Sequence, residues 1–89
     1  DRERMTVGKQ KEQVDIFLPD PSVSRIHASL EKSGEDWYLR DRGSTNGTFL
    51  DGLRLEEGEK KKLLDGAEIS FSGRRFYFHS DSTGSTVQN

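Results

Sequence analysis

The stretch Arg40–Gly52, which reads RDRGSTNGTFLDG, concentrates turn-forming residues between two short apolar runs. Its last pair, Asp51-Gly52, separates TFL from LRL, and an Asp-Gly pair in that position predicts a two-residue β-hairpin. The preceding GSTNG segment is too polar and too rich in glycine to pack in a core. We therefore expect a polar loop that leads into a hairpin, which is typical of an all-β chain.

Apolar residues elsewhere alternate with polar ones and do not recur at helical spacing. The runs HASLE, DWYLRD, AEISFS and RRFYFHS each place their apolar side chains on one face, as half-buried antiparallel strands do. Turn residues separate the runs, including Ser72-Gly73 before the last strand, and Lys61–Leu64 is expected to form another short strand. Roughly nine short strands indicate a β-sandwich or a barrel. The aromatic residues predicted to lie in its core are Trp37, Phe71, Phe76 and Phe78.

The composition limits both the size of the fold and the classes of partner. The 89 residues suit one small domain, which we assign to residues 1–80, followed by a flexible tail rich in Ser, Thr and Gly over residues 81–89. The net charge of -2 argues against a nucleic-acid partner, which normally meets a concentrated basic face. Cysteine is absent and only two histidines occur, so we expect no metal site and no cofactor. No apolar run approaches the ~20 residues that span a bilayer, so we expect no membrane contact and a cytoplasmic location.

Three segments at the ends of predicted strands carry most of the candidate chemistry. They are TVGKQ over residues 6–10, PSVSRIHASL over residues 21–30 and RGSTNGTFLDG over residues 42–52. Loops at one end of a small sandwich can converge, and functional residues are often found on such loops. Together these segments would supply hydroxyl and amide donors and the cations Lys9, Arg25 and Arg42. Donors combined with local positive charge suit an anion, phosphate above all.

The same three segments resemble the forkhead-associated (FHA) domain family, whose pattern is Gly-Arg, then Ser-x-x-His, then Ser/Thr-x-Asn-Gly. The matching residues are Gly8-Lys9, Ser24 with His27, and STNG over residues 44–47, and the likeness extends from about Met5 to about Phe78. The family fold is an eleven-stranded antiparallel β-sandwich, so the resemblance implies an FHA-like sandwich of about nine to eleven strands. Family members bind phosphothreonine peptides and catalyse no reaction. The resemblance therefore implies a module that recruits phosphorylated partners in kinase signalling, and its motifs favour a bacterial source.

The resemblance also implies a role for each matching residue. Ser24 and Thr45 would donate hydrogen bonds to the phosphate with Arg25 beside them, and Asn46 would bind the peptide main chain. Lys9 occupies the place of the family arginine. Lysine is a point charge without the planar pair of donors of a guanidinium, so geometric selectivity would be lower. The positions implied to be structural are Gly8, His27 and Gly47, where the glycines permit backbone geometry that a side chain would block and the histidine braces the loops.

Further expectations concern the edge of the fold and the alternatives to phosphothreonine binding. The family has a strand ahead of Met5, which we expect to be trimmed here, and an uncovered edge strand would favour self-association. The alternative function is a phospho-independent structural or assembly module that uses the same surface. A catalytic triad of Ser24, His27 and Asp41 is disfavoured, because a serine and a histidine three residues apart at the entry to a strand point their side chains apart.

Overall fold

The computed structural model describes residues 3–80, which form a sandwich of two β-sheets. The five-stranded sheet has the order β2-β1-β3-β4-β7, and the four-stranded sheet has the order β6-β5-β8-β9. A short 3-10 turn spans Lys11–Gln13, and no helix within the described range is long and apolar enough to cross a bilayer. The strands are β1 (Arg4–Gly8), β2 (Ile16–Phe17), β3 (Ala28–Ser33), β4 (Asp36–Asp41), β5 (Thr48–Leu50), β6 (Leu53–Arg54), β7 (Lys60–Leu63), β8 (Glu68–Phe71) and β9 (Arg74–Tyr77).

The strand pairing confirms the predicted FHA-like antiparallel β-sandwich with one departure. All pairs among the described strands are antiparallel except β1 with β2, which run parallel. The chain returns beside β1 after the 3-10 turn, and the N–H of Leu18 donates to the carbonyl of Gly8 at 2.8 Å. A two-residue strand is too short for its partner to be identified from alternation alone. The proposed tail, residues 81–89, lies outside the described residues.

Both predicted hairpin turns are present. Asp51 and Gly52 have φ values of 51° and 84°, and Ser72 and Gly73 have φ values of 50° and 81°. Two consecutive positive φ values are the mark of a type I′ turn, whose twist matches that of the flanking strands. The strand expected at Lys61–Leu64 is β7, which begins and ends one residue earlier.

The core lies between the two sheets and is mainly aliphatic. Val7, Ala28 and Leu39 come from the five-stranded sheet, and Ile69 and Phe71 come from the four-stranded one. None of these five residues is more than 5% exposed. Their burial against one another is the main source of stability expected for so small a domain.

The aromatic residues predicted to lie in the core differ in burial. Phe71 is buried, and Trp37 and Phe78 are partly buried against the core cluster. Phe76, in contrast, is 38% exposed. The prediction is wrong for Phe76 because β9 is an edge strand that pairs only with β8 among the described strands, so one side of it remains uncovered.

The register of the five-stranded sheet brings three segments of the chain to one end. Val7 pairs with Ala28, and Ala28 pairs with Asp41. The residues that follow Val7, precede Ala28 and follow Asp41 therefore leave the sheet at the same end, because neighbouring antiparallel strands run in opposite directions. These are the three segments that carry the sequence motifs.

Candidate functional site

A groove of ≈ 720 Å³ lies where the three segments meet. The residues around it supply hydroxyl, amide and main-chain donors together with two cations, Lys9 and Arg25. No lining residue carries a carboxylate, although the chain as a whole has a net charge of -2. The groove is lined by Lys9, Gln13, Pro21, Ser22, Val23, Ser24, Arg25, Ile26, Gly43, Thr45 and Asn46.

The side of the groove formed by the end of β1 depends on a close approach between the main chains at Gly8 and Arg25. A Cβ on Gly8 would collide with the carbonyl oxygen of Arg25 and lie 2.7 Å from its carbonyl carbon. The N–H of Lys9 donates to the carbonyl of Ser24 at 3.1 Å, which continues this contact. The side chain of Lys9 then turns back, and its Nζ donates to the carbonyl of Pro21 at 3.1 Å. The end of β1 is thus fastened to the segment that precedes β3.

His27 holds the second and third segments together from inside the fold. Its side chain is fully buried, and its Nδ1 accepts the N–H of Ser24 at 3.1 Å. The proton therefore resides on Nε2, which donates to the carbonyl of Gly47 at 2.8 Å. Both ring nitrogens are bonded to main-chain groups, and neither faces the Ser24 hydroxyl. This arrangement does not support a catalytic triad.

The donors that face the groove are fixed by bonds between its loops. The Oγ of Ser24 accepts the N–H of Thr45 at 3.0 Å, which leaves the Ser24 hydroxyl proton free to donate to a ligand. The Nδ2 of Asn46 donates to the carbonyl of Ser22 at 2.7 Å. The Oδ1 of Asn46 accepts no hydrogen bond from a residue within the range 3–80 and is therefore available as an acceptor.

A buried carboxylate shapes the loop that carries Thr45 and Asn46. Oδ1 of Asp41 accepts the hydroxyls of Ser44 at 2.6 Å and Thr48 at 2.7 Å, and Oδ2 accepts the N–H groups of Gly43 and Ser44 at 3.0 and 3.1 Å. Burial alone would raise the pKa of Asp41. The four hydrogen bonds outweigh burial, so the pKa lies below its ordinary value and the group remains charged.

The structure brings together all five residues implied to contact a phosphopeptide: Lys9, Ser24, Arg25, Thr45 and Asn46 line the one groove. Arg42, the third cation noted in the sequence, is not among the lining residues. It lies instead with Arg4, Arg40 and Lys60 in a separate depression. Arg42 directly follows β4, and the cations it lies with come from β1, β4 and β7, which the sequence motif does not identify.

Some contributors to the site have no signal in the sequence. The hydroxyl of Ser72, in the β8–β9 turn, donates to the carbonyl of Ser22 at 2.6 Å from 50 residues away. Ser22 therefore accepts bonds from both Ser72 and Asn46. Asp20 fixes the same loop by accepting the N–H and the hydroxyl of Ser22 at 2.9 and 2.7 Å. This local turn, unlike the bond from Ser72, could have been indicated by the Asp-Pro-Ser composition.

Among residues 3–80, no cluster of three or more His, Asp or Glu residues could hold a metal ion.

Comparison with known proteins assigns this arrangement to a family. The family model described as the FHA domain matches residues 5–72. The chain is similar to EmbR of Mycobacterium tuberculosis, solved in complex with a low-affinity phosphopeptide, with 27% identity, a TM-score of 0.81, and coverage of 88% of this chain and 20% of EmbR. It is also similar to the N-terminal FHA domain of Rad53p of S. cerevisiae, solved with a phosphothreonine peptide, with 28% identity, a TM-score of 0.70, and coverage of 83% of this chain and 63% of that one.

Two curated bacterial proteins show similar sequences. The oxoglutarate dehydrogenase inhibitor of Corynebacterium jeikeium is 34% identical over 82 residues, which cover 92% of this chain and 54% of the inhibitor. Protein FraH of a Nostoc species is 36% identical over 70 residues, which cover 72% of this chain and 24% of FraH. The chain thus spans between a quarter and a half of the length of these relatives. With the family model matched over most of its length, and with the fold and the three motifs in agreement, this chain belongs to the FHA domain family.

Proposed function

We propose that this chain is a cytoplasmic, non-catalytic module that binds phosphothreonine-containing segments of partner proteins and recruits them in kinase signalling. The observation that carries the proposal is the groove itself, where hydroxyl and amide donors and two cations converge without a lining carboxylate. A doubly charged phosphate is favoured by charge-assisted hydrogen bonds, and a nearby carboxylate would oppose it.

The phosphate would dock between Lys9, Ser24 and Thr45. The free proton of the Ser24 hydroxyl would donate to one phosphate oxygen, and the exposed Thr45 hydroxyl would donate to another. Lys9 would turn its ammonium group from the carbonyl of Pro21 towards the phosphate, and Arg25 would add a second positive charge at the rim. Hydrogen bonds to a charged group contribute about 1.5–3 kcal/mol each in favourable cases.

The peptide main chain would be held at Asn46. Its Oδ1 is free to accept a peptide N–H, while its Nδ2 remains on Ser22. Because Ser22 is also held by Ser72 and Asp20, the amide is presented from a rigid position and little ordering entropy is lost on binding. The γ-methyl of phosphothreonine would bury against the groove and add about 0.8 kcal/mol over phosphoserine.

A phospho-independent assembly module is the second candidate, and one observation favours it. The ammonium of Lys9 and the amide of Asn46 already bond to the carbonyls of Pro21 and Ser22. The ammonium of Lys9 is therefore already satisfied within the fold and must be released or shared when a phosphate binds, and Asn46 has only its Oδ1 left for a ligand. On this alternative the same surface would pack against an unmodified protein.

A matched set of peptide libraries separates the two candidates. Four libraries would share one degenerate background and carry phosphothreonine, phosphoserine, glutamate or threonine at the fixed position, with binding followed by fluorescence anisotropy. We expect saturable binding of the phosphothreonine library. The phosphoserine library should bind more weakly, by a factor of roughly ten at most, and the glutamate and threonine libraries should not reach saturation. Equal binding of the phosphothreonine and threonine libraries would reject the proposal and favour the assembly module.

A further inference from the structure

We propose that the outer face of the five-stranded sheet is a second binding surface, which takes an acidic segment of a partner protein and requires no phosphothreonine. The surface centres on a depression of ≈ 460 Å³ that shares no lining residue with the groove. Its lining has two carboxylates, Glu3 and Glu31, one serine, Ser33, and five cations. The five cations are Arg4, Lys32, Arg40, Arg42 and Lys60.

The register of the sheet places cations from three strands on this face. Leu39 is buried in the core, so its neighbours Tyr38 and Arg40 on β4 point away from the core. Lys60 on β7 pairs with Arg40 and holds its Nζ 5.2 Å from the centre of the Tyr38 ring. Arg4 on β1 lies in the same cross-strand row as Tyr38, with one residue of β3 between them. The charges of β1, β4 and β7 therefore lie side by side.

The central arginine of the depression is neutralised, but the cations around it are not. Nε of Arg40 lies 3.0 Å from Oε2 of Glu31, and Nη2 of Arg40 donates to Oε1 at 3.2 Å. Burial would raise the pKa of Glu31, but hydrogen bonds from Ser29 and Arg40 hold it below its ordinary value, so the pair is ionised. The lining cations that form no ion pair with a carboxylate among residues 3–80 are Arg4, Lys32, Arg42 and Lys60. The face therefore carries an excess of positive charge on a chain whose net charge is -2.

The chemistry of the depression favours one kind of anionic partner. No apolar side chain lines it, so an apolar strand or helix would bury no apolar surface there. Glu3 and Glu31 would oppose the closely spaced phosphates of a nucleic acid, and the Lys60 ammonium over the Tyr38 ring hinders base stacking. Separate carboxylates on an extended protein segment can meet the unpaired cations and avoid the two glutamates. Charge complementarity of this kind guides encounter and orientation.

The width of the sheet sets the length of the segment. β1 and β7 are three strand spacings apart, which is about 14 Å at ~4.8 Å for each spacing. An extended segment of about four or five residues spans that distance. Because alternate side chains of an extended segment face the same side, we expect acidic residues at every second position. The ion pairs would be exposed, so binding should be weak and should decline as salt is added.

The test uses peptides without phosphate, so that phosphothreonine binding plays no part. The probe carries glutamate at three alternate positions in a Gly-Ser background, and its control carries glutamine at those positions. Amide shifts of ¹⁵N-labelled protein and dissociation constants are measured at about 20 and about 200 mM salt. We expect the glutamate peptide to shift the amides of Arg4, Arg40 and Lys60, and to bind at least about threefold more weakly at the higher salt. The glutamine peptide should leave these amides unperturbed.

Lys60→Glu and Lys61→Glu are a matched pair of variants. Both make the same change of charge on β7, but Lys61 pairs with the buried Leu39 and so does not share the outward direction of Lys60. Lys60→Glu should weaken binding of the glutamate peptide by about three- to tenfold, and Lys61→Glu by less than about twofold. Arg4→Glu, at the other end of the depression, should reproduce the effect of Lys60→Glu.

The outcomes that would reject this surface are distinct from those that test the groove. Equal binding of the glutamate and glutamine peptides would reject it, as would equal effects of Lys60→Glu and Lys61→Glu. Shifts centred on Lys9, Ser24 and Thr45 would place the acidic segment in the groove and overturn the inference. Tighter binding of a single-stranded oligonucleotide of equal charge would assign the face to nucleic acid instead. Each of these results leaves the phosphothreonine proposal standing, because that proposal is tested with the phosphorylated libraries.

Discussion

The Oγ of Ser24 accepts the main-chain N–H of Thr45 at 3.0 Å, although the two residues are 21 positions apart. This bond joins the second and third motif segments at the groove and orients the Ser24 hydroxyl proton outwards. The buried ring of His27 joins the same two segments a second time, because its nitrogens bond to the N–H of Ser24 and the carbonyl of Gly47. The donors that face the groove are thus positioned before any ligand arrives, which lowers the entropic cost of binding.

The carboxylate of Asp41 should be a main determinant of loop stability. In the wild type, both carboxylate oxygens of Asp41 accept hydrogen bonds from donors on Gly43, Ser44 and Thr48. Asp41→Asn replaces one of these oxygens with an NH₂ group, so the donors bonded to that oxygen lose their acceptor. We expect the free energy of unfolding to decrease by about 1–3 kcal/mol in urea denaturation. Asp36→Asn is the control, because Asp36 pairs with Lys62 only at the surface and should change the free energy by less than about 1 kcal/mol. Equal effects of the two substitutions would contradict this role of Asp41.

The contribution of Asp41 to the free energy of unfolding should depend on pH. The pKa of Asp41 in the folded chain lies below the ordinary value of 3.8. A carboxyl group with a depressed folded-state pKa stabilises the fold fully above its unfolded pKa, and this stabilisation is lost as pH falls through the folded pKa. The difference in unfolding free energy between the wild type and Asp41→Asn should therefore be constant above about pH 5 and shrink only below about pH 3.8. A difference that grows as the solution becomes more acidic would rule out this assignment.

Gly8 should tolerate no side chain, because of its contact with the main chain at Arg25. The added methyl of Gly8→Ala would meet backbone atoms, which cannot move without separating β1 from the segment before β3. We expect a loss of unfolding free energy of about 2–3 kcal/mol or more, as for overpacking in a core. Gly34→Ala is the comparison, because Gly34 has a φ of 64° and open space around it. This substitution should lower the free energy of unfolding by only about 1 kcal/mol. A loss at Gly8 no larger than at Gly34 would show that the close approach is not required.

Ser72 should act as a positioning residue for the peptide site. Ser72→Ala removes the hydrogen bond to the carbonyl of Ser22 and leaves that carbonyl bonded to Asn46 alone among residues 3–80. We expect a loss of about 0.5–1.5 kcal/mol in stability and a weaker affinity for the phosphothreonine library, with no change in the ranking of the libraries. Ser70→Ala, two residues earlier on β8, is the control and should leave the affinity unchanged. A change in phosphothreonine-over-phosphoserine ranking would mean that Ser72 contacts the ligand directly.

The β9 edge should support weak self-association at high concentration. Among the described strands β9 pairs only with β8, and it exposes Phe76 by 38% and Tyr77 by 58%. Unpaired edge groups beside apolar side chains favour pairing with another chain. Sedimentation velocity across a concentration series should detect a concentration-dependent species that Phe76→Lys abolishes. A wild type that remains monomeric throughout would reject the prediction of self-association.

Local chemistry made much of the fold predictable. Alternation identified the strands, and the positive φ values that Gly52 and Gly73 permit explain why their turns could be recognised. What could not be predicted depends on distant partners. The bond from Ser72 to Ser22 joins residues 50 apart, and the exposure of Phe76 follows from the edge position of β9. Arg42 lies in a separate depression beside residues of β1 and β7, which are distant in the sequence. None of these relationships leaves a periodic or compositional trace.

The central claim is that a phosphothreonine binds where the three motif segments meet. Amide chemical shifts from ¹⁵N-labelled protein, followed during titration with a phosphothreonine peptide, test it most directly. We expect saturating shifts at Lys9, Ser24 and Thr45, and little change at Arg40 and Lys60 on the outer face of the five-stranded sheet. The unmodified peptide should leave all of these amides unperturbed. Shifts centred on that outer face or on β9, or equal shifts with the unmodified peptide, would contradict the account.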